Sequence, residues 1–211
     1  MVEATTRNRD KRRMRGEESR KVILQSAIDS IAAFGLGSMT LDRVAERAGI
    51  SRGLVVFHFK SKSKLLEAVL DFLGKQYEAG WNIVYQETSD SSMEKILSLI
   101  DYDIRFAYEN PKYVSAWHAF WSEAKGNMLY HNISFPRDVN YEGQLEELIV
   151  EALEEQNGES AEAKMITMGL TAMMFGVWVE SHLNPDPGDC AKYMQALRFY
   201  LNKCFPDLGI D

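Results

Sequence analysis

The stretch MTLDRVAERAGISRGLVVFHFKSKSKLLEAVL, residues 39–70, decides how the N-terminal part of this chain folds. From residue 41 to residue 48 its apolar side chains recur at the three- and four-residue spacing of an amphipathic helix. Thr40 is a good N-cap for that helix, Gly49 ends it, and Ser51 caps a second short helix over residues 52–59. Two short helices joined by a glycine-containing turn are typical of a helix-turn-helix unit, whose second helix enters the major groove of DNA.

The second short helix carries different chemistry on its two sides. A helical wheel directs Val55 and Phe59 toward the preceding helices and leaves an apolar and aromatic set on the outside. Contacts with base edges and phosphates would explain such an exposed set, although Phe57 could instead be buried under the next helix of an ordinary bundle. The residues predicted to contact DNA are Thr40, Ser51, Arg52, Gly53, Leu54, Phe57, His58 and Lys62.

The charge of the chain is divided unevenly. Residues 1–64 hold 14 Lys and Arg against 7 Asp and Glu, whereas residues 65–211 hold 10 against 24. A basic head on an acidic body predicts that the head meets a polyanion. Residues 1–17 are predicted to be a flexible arm that lies along phosphates or enters a minor groove, unless the arm is merely solvated. Its basic residues are Arg7, Arg9, Lys11, Arg12, Arg13 and Arg15.

Almost every segment has a helical pattern, and the sequence shows no β-hairpin signal and no internal repeat. We therefore expect an all-α fold of about nine helices. A three-helix helix-turn-helix domain over residues 18–62 follows the arm and precedes a larger helical domain over residues 63–211. The predicted helices cover residues 18–34, 41–48, 52–59, 63–85, 93–109, 112–125, 139–156, 160–183 and 189–203.

Several classes of protein are disfavoured by what the sequence lacks. No window is apolar enough for a membrane helix, and the N-terminus has no apolar core of a secretory signal. The two cysteines, Cys190 and Cys204, form neither a disulfide framework nor a metal motif, which favours a reducing cytoplasm. No catalytic or nucleotide-binding motif occurs, so we expect no enzyme activity and no cofactor. No metal site is predicted, and only one built from dispersed His and Glu remains open.

Residues 39–70 resemble the DNA-binding segment of TetR-type bacterial transcriptional regulators. Those proteins carry a Thr-led short helix, Ala-Gly-Val/Ile-Ser, an aromatic recognition helix ending in His-Phe, and Ser-Lys before the fourth helix. The match covers roughly residues 18–66. This chain has Val56 where the family usually has a phosphate-contacting tyrosine, and Leu54 replaces a commoner small or polar residue. The resemblance implies that residues 63–211 sense a ligand and form a homodimer, which sets two recognition helices on a near-palindromic operator.

Aromatic residues cluster in the acidic body. Tyr113, Trp117 and Trp121 fall at i, i+4 and i+8 along one helix, with further aromatic residues on neighbouring helices. Such faces near carboxylates suit an organic cation, although aromatic residues at helical spacing are also common in cores. The residues predicted to bind an effector are Tyr102, Phe106, Tyr113, Trp117, Phe120, Trp121, Phe175 and Trp178.

The runs AWHAFWSEAKGNMLYHN and MMFGVWVESHL resemble the C-terminal domain of choline-responsive repressors that control glycine-betaine synthesis. This similarity favours a quaternary ammonium or a related cation as the effector. The helices near residues 160–183 and 189–203 are apolar on more than one face, which predicts that a second subunit covers them. We therefore expect a cytoplasmic repressor released from its operator by a small organic effector. The alternative is a helical small-molecule binding module whose basic head meets a partner other than DNA.

Overall fold

The computed structural model describes residues 2–88, 91–125, 128–156, 158–186 and 188–206, with side chains from residue 14 onward. Within these ranges every regular element is helical, which confirms the all-α prediction. A short 3-10 turn at Ser160–Glu162 precedes the ninth helix. The ten α-helices are α1 (Val2–Ser38), α2 (Leu41–Ala48), α3 (Arg52–Phe59), α4 (Lys62–Glu87), α5 (Ser92–Glu109), α6 (Pro111–Glu123), α7 (Leu129–Ile133), α8 (Phe135–Glu155), α9 (Ala163–Leu183) and α10 (Asp189–Cys204).

Local hydrogen bonds define the helix-turn-helix unit formed by α2 and α3. The Thr40 hydroxyl oxygen accepts from the Arg43 backbone N–H at 3.2 Å, and the Ser51 hydroxyl oxygen accepts from the Leu54 N–H at the same distance. Gly49 ends α2 with φ of 66°, in the left-handed region that glycine enters without a Cβ clash. Both predicted caps and the predicted glycine turn are therefore confirmed.

The head and the body share one hydrophobic core. Val55 and Phe59 of α3 are buried, as the helical wheel predicts, in the same cluster as Val44 of α2 and Ile31 of α1. Helix α1 also packs against α6, and α4 passes from α3 into the body. The Lys62 ammonium at the start of α4 donates to the Leu36 carbonyl oxygen at 2.8 Å, which joins α4 to the end of α1.

The structure differs from the predicted helices at three places along the chain. The sequence predicted a flexible arm followed by a helix that begins at residue 18, whereas in the structure the backbone of residues 2–17 is part of α1. Near its C-terminal end, α1 is interrupted at Gly35, which has φ of 74° and ψ of 170°. The second difference is α7, which brings the described α-helices to ten rather than about nine. Helix α8 then begins before Pro136, because the first turn of a helix tolerates proline, whose missing N–H would have no acceptor there.

Helix α5 occupies the middle of the body and packs against α4, α8, α9 and α10. Helix α6 packs against α9 and α1, and α7 packs against α8 and α4. The faces of α4, α5, α6, α8 and α9 that point inward converge on one region of the body, where the candidate effector site lies. No helix of the described ranges is long and apolar enough to cross a membrane.

Candidate functional site

A cavity of about 270 Å³ lies between the inward faces of α4 to α9. Eight of its seventeen lining residues are aromatic. Three helices each direct two residues four positions apart into it, since residues at that spacing share a helix face. These pairs are Tyr77 and Trp81 on α4, Trp117 and Trp121 on α6, and Met174 and Trp178 on α9. All four tryptophans of the chain line this cavity.

The aromatic rings are arranged around Tyr77. Its ring centre lies 5.8 Å from those of Trp81 and Trp178 and 5.3 Å from that of Tyr141. Trp117 and Trp178 meet edge to face, with ring centres 5.3 Å apart and an interplanar angle of 80°. Several rings thus surround one small volume, and a cation there is attracted wherever it approaches the negative face of a ring.

Asp103 of α5 places a carboxylate in this aromatic surrounding. Asp103 is only 4% exposed. Its Oδ1 accepts hydrogen bonds from the Tyr77 hydroxyl at 2.7 Å and from the Trp178 indole N–H at 2.9 Å. Its Oδ2 is buried and has no hydrogen-bond partner among the described residues. Burial raises the pKa of Asp103 to about 6, although the two hydrogen bonds oppose that rise. The group is therefore mostly ionised at neutral pH, and a cationic partner would stabilise it.

Arg137 of α8 lines another part of the cavity. Its guanidinium bonds to the Asp71 carboxylate at 2.8 Å and lies 3.7 Å from that of Glu78, both on α4. A Cβ at Gly74 would stand 2.8 Å from Arg137 Nη1, so glycine permits this close approach. Because α4 already supplies carboxylates to Arg137, the guanidinium does not make the cavity basic.

The other charged residues of the cavity wall are acidic. Asp138 accepts a hydrogen bond from the Tyr130 hydroxyl, and burial raises the pKa of this aspartate above its ordinary value. Glu142 lies one turn further along α8 and also lines the cavity. Within the described chain, no three His, Cys, Asp or Glu side chains form a group that could hold a metal ion.

The structure brings only part of the predicted effector set to the cavity. Trp117, Trp121, Phe175 and Trp178 line it. Tyr102, Phe106, Tyr113 and Phe120 do not belong to its wall.

Those four lie in the packing behind or beside the cavity. Tyr102 donates its hydroxyl to the Tyr77 carbonyl oxygen at 2.7 Å, and Phe106 stacks on Trp178 with ring centres 5.9 Å apart. Tyr113 faces α1, where its hydroxyl donates to Gln25 Oε1 at 3.4 Å, and Phe120 is buried. Helical spacing identifies a shared face, and packing then decides which members of that face reach a cavity.

Sequence reasoning missed Asp103 as a binding group. A signal for it exists, because residues 96, 99, 100, 103 and 107 form one apolar stripe of α5 with Asp103 as its only charged member. Asp101, two residues earlier, pairs with Arg105 at the surface at 2.6 Å, so the two aspartates point to different faces of α5. A carboxylate within an apolar stripe needs a partner that neighbouring helices or a ligand must supply.

The predicted DNA-contacting residues of α3 form an exposed surface at the head. Phe57 is 68% exposed, so the alternative that the next helix buries it is wrong. The Arg52 guanidinium lies 3.1 Å from the Asp42 carboxylate, with both side chains largely exposed. Burial, with the positive charges of Arg20 and Lys60, lowers the pKa of His58, so a neutral imidazole stands beside Phe57.

The remaining predicted DNA contacts have local partners or lie outside the described part. Thr40 and Ser51 act as N-caps through their oxygens, which leaves each hydroxyl hydrogen able to donate. Gly53 is exposed and Leu54 half-buried on the outer side of α3. The Lys62 ammonium donates hydrogen bonds to carbonyl oxygens at the end of α1, so it also holds the start of α4 against α1 within the head. Arg15 is exposed, whereas the side chains of Arg7, Arg9, Lys11, Arg12 and Arg13 lie outside the described residues.

Large apolar residues are exposed along α9 and α10, the helices predicted to meet a second subunit. On α9 they recur at three- to eight-residue intervals and form one stripe, and Phe199 extends the apolar surface onto α10. The stripe consists of Met165, Met168, Phe175 and Leu183. An exposed apolar surface of this kind is typical of a protein interface.

Two family models match the chain. Residues 23–69 match the model of bacterial regulatory proteins of the tetR family, and residues 93–206 match the C-terminal domain of the BetI-type transcriptional repressors. The HTH-type transcriptional regulator BetI of Klebsiella pneumoniae (strain 342) is 25% identical over 171 residues, which cover 81% of this chain and 85% of that protein.

Solved structures share the fold at low sequence identity. A transcriptional regulator from Pseudomonas aeruginosa PAO1 superposes with a TM-score of 0.80 at 16% identity, over 90% of this chain and 92% of that one. A regulator from Saccharomonospora viridis, solved in complex with choline, has a TM-score of 0.75 at 18% identity, over 88% of this chain and 96% of that one. Since one model matches the head and the other more than half of the chain, the protein belongs to the tetR family of bacterial regulatory proteins and is a transcriptional regulator with a BetI-type C-terminal domain.

Proposed function

We propose that this regulator is a cytoplasmic homodimeric repressor, with no enzyme activity of its own, and that a small organic cation releases it from a near-palindromic operator. The observation that carries the choice of effector is Asp103, which lines an aromatic cavity and whose buried Oδ2 has no hydrogen-bond partner among the described residues. A cation satisfies the carboxylate and the rings together, whereas an anion would be repelled and a neutral apolar molecule would leave the carboxylate oxygen unpaired.

Choline is the natural first ligand to test. It is a small quaternary ammonium ion, and a regulator from Saccharomonospora viridis with the same fold is described in complex with it. Desolvated cation–π contacts contribute about 2 kcal/mol each, so a few rings and one carboxylate provide enough affinity for a small cation. The acidic residues Asp138 and Glu142 at the cavity wall further favour entry of positive charge.

The DNA-binding mode follows from the exposed surface of α3. The outer side of α3 can meet base edges or phosphates in the major groove through Arg52, Phe57 and His58. The N-termini of α2 and α3 can bring free backbone N–H groups near the DNA phosphates. Pairing of two subunits through the apolar surface of α9 and α10 presents two copies of α3, which requires an operator with two related half-sites.

Helix α4 is the element through which effector binding reaches the DNA-binding head. Its first residue, Lys62, bonds to the end of α1, and two turns near its middle carry Tyr77 and Trp81 into the cavity. A ligand that binds more tightly to one position of α4 shifts the population of head arrangements and so changes operator affinity.

The test begins with sequencing of genomic DNA fragments captured by the purified protein. A gel shift on the enriched fragment is then titrated with choline and with 3,3-dimethylbutan-1-ol, which replaces the ammonium nitrogen by carbon at nearly the same shape. We expect choline to release the operator and the neutral alcohol to be at least about tenfold weaker. If the captured fragments share no inverted repeat, the proposed binding of a dimer to a near-palindromic operator is contradicted. If both compounds release the operator equally well, the proposed cationic effector is contradicted.

A further inference from the structure

The outer side of α3 carries few groups that form hydrogen bonds. Arg52 is the charged residue among the eight of this helix, and the half-buried His58 is the other one with a polar side chain. The residues between them are Gly53, Leu54, Val55, Val56 and Phe57, none of which has a side-chain donor or acceptor. A helix of this composition has little with which to pair the polar groups of base edges in a major groove.

Leu54 and Phe57 supply the apolar part of that outer side. They are three positions apart, so their side chains share one face of α3. Phe57 is largely exposed and Leu54 is half-buried, whereas Val55 and Phe59 on the opposite side belong to the buried core. The pair therefore presents apolar surface that a partner can remove from water.

The two ends of α3 carry the groups that suit phosphates. Ser51 caps the N-terminus, an end that attracts anions through its free backbone N–H groups and the helix dipole. Lys60 follows the C-terminus, and its ammonium lies 5.4 Å from the centre of the Phe57 ring. Phosphate contacts place a protein on DNA but carry no sequence information. The ends of α3 thus position the helix, while Leu54 and Phe57 meet the bases.

The C5-methyl of thymine is the methyl group that unmodified bases present in the major groove. The other groups that distinguish the bases there are hydrogen-bond donors and acceptors. An apolar side chain that covers a donor or acceptor takes away its water and offers no hydrogen bond in return. Against a thymine methyl the same side chain gains free energy, because both apolar surfaces leave water. Leu54 and Phe57 therefore favour thymine over the other bases.

We propose that Leu54 and Phe57 recognise thymine through its C5-methyl group and so select the half-site of the operator. The inference rests on the proposed binding of α3 to DNA, and it adds which base the helix prefers and which residues set that preference. Residues three apart are separated by about 4.5 Å along a helix and base pairs by about 3.4 Å along DNA, so we expect the contacted thymines to lie within about two base pairs of each other.

The experiment uses the full-length protein and the operator fragment obtained by genomic capture, prepared again as a synthetic duplex without methylated cytosine. Each thymine of one half-site is replaced in turn by deoxyuridine, which lacks only the C5-methyl and keeps the same pairing edge. Affinity is measured by gel shift. We expect binding to weaken about fourfold at one or two thymines of the half-site, which is the loss expected for one buried methyl group.

Alanine variants assign the methyl contacts to residues. Leu54→Ala and Phe57→Ala should each weaken binding to the thymine duplex and remove the effect of deoxyuridine at one of the sensitive positions. Both side chains lie outside the buried core, so the variants should keep the wild-type circular dichroism spectrum. Phe135→Ala is the matched control, because this phenylalanine is 50% exposed on α8 of the body. It should keep the wild-type sensitivity at every thymine.

A further pair of duplexes separates the methyl group from the rest of the thymine base. At a sensitive position the T·A pair is replaced by C·G, and then by a pair of 5-methylcytosine with guanine, which returns the methyl group alone. We expect C·G to weaken binding and 5-methylcytosine to recover about fourfold of that loss. If 5-methylcytosine recovers nothing, other groups of the base pair are read and the inference is contradicted.

The remaining outcomes separate this inference from the proposed function. Unchanged affinity with deoxyuridine at every thymine would refute methyl recognition while leaving DNA binding intact. A deoxyuridine effect that persists in both alanine variants would exclude Leu54 and Phe57 as its source. If the genomic fragment binds and its synthetic copy does not, methylated cytosine rather than thymine supplies the methyl group, and the inference is wrong. If neither duplex binds, the proposed DNA-binding function fails together with it.

Discussion

Replacing Asp103 by Asn is expected to make the protein more stable and less able to bind a cation. The substitution keeps an oxygen that can accept from the Tyr77 hydroxyl and the Trp178 indole, and it removes the buried negative charge. A buried charge that lowers stability is typical of a binding site, where function and stability oppose each other. The two effects are separable, because one is measured without ligand and the other with it.

The size of the stability effect follows from the pKa of Asp103. The folded protein raises that pKa from 3.8 to about 6, which is about 2 pH units at about 1.4 kcal/mol each. The folded-state pKa lies above the unfolded value, so the stability of the wild type falls as pH rises from about 4 to about 6. We therefore expect Asp103→Asn to be more stable than wild type at pH 7.5 by up to about 3 kcal/mol, and the difference to vanish near pH 4.

The stability assay is urea unfolding of both proteins at pH 7.5 and at pH 4.5, followed by circular dichroism. The binding assay is a fluorescence titration with choline at pH 7.5, where we expect at least about a tenfold loss of affinity. Asp101→Asn is the matched control on the same helix, because its surface pair with Arg105 contributes little to stability. A variant that is less stable than wild type at pH 7.5, or that binds choline equally well, would refute the reasoning.

Four further outcomes are expected. Choline affinity should fall about tenfold per pH unit below pH 6, since the cation binds ionised Asp103, and a flat profile from pH 7 to pH 5 in calorimetry would contradict this. Arg52→Ala should weaken operator binding about tenfold or more in gel shifts and lower its salt dependence; unchanged binding would exclude this contact. Met168→Glu places a charge on the exposed stripe of α9 and should give monomers in sedimentation; dimers that persist would contradict pairing through this stripe. Gly74→Ala should lower the stability measured by urea unfolding, because the new Cβ would stand 2.8 Å from Nη1 of Arg137. The control Gly143→Ala places its Cβ in open space on α8 and should raise stability by up to about 1 kcal/mol.

The helix-turn-helix unit was predictable from the sequence because its determinants are local. The caps formed by Thr40 and Ser51 and the left-handed Gly49 depend on residues within three or four positions of one another. The inward side of α3 was equally predictable, since Val55 and Phe59 recur at helical spacing. Spacing along the chain is sufficient wherever the interacting atoms are also neighbours in sequence.

The helix boundaries were less predictable where the chain has weak signals. Helix α7 is only five residues long, from Leu129 to Ile133, and too short to show a periodic pattern. The start of α8 before Pro136 was equally hidden, because a proline can open a helix as well as interrupt one.

The candidate effector site shows the limit of spacing most clearly. Phe106 and Trp178 are both large aromatic residues at helical spacing in the sequence, yet Trp178 lines the cavity and Phe106 stacks behind it. Their assignment depends on how α5 and α9 pack against each other, which no single helix encodes. The role of Asp103 depends on the same packing, since its two donors come from α4 and α9.

The sequence by itself therefore determined the all-α class, the caps and faces of the DNA-binding helices, and the division into a basic head and an acidic aromatic body. Only the tertiary structure decided which aromatic residues line the cavity, that Asp103 places a carboxylate beside it, and that Ser134 and Tyr141 in its wall have buried hydroxyls without a partner among the described residues. The physical reason is the range of the interactions. Caps and amphipathic faces arise within one or two turns of a helix, whereas a cavity, the desolvation of a carboxylate and an unpaired hydroxyl exist only where several helices meet.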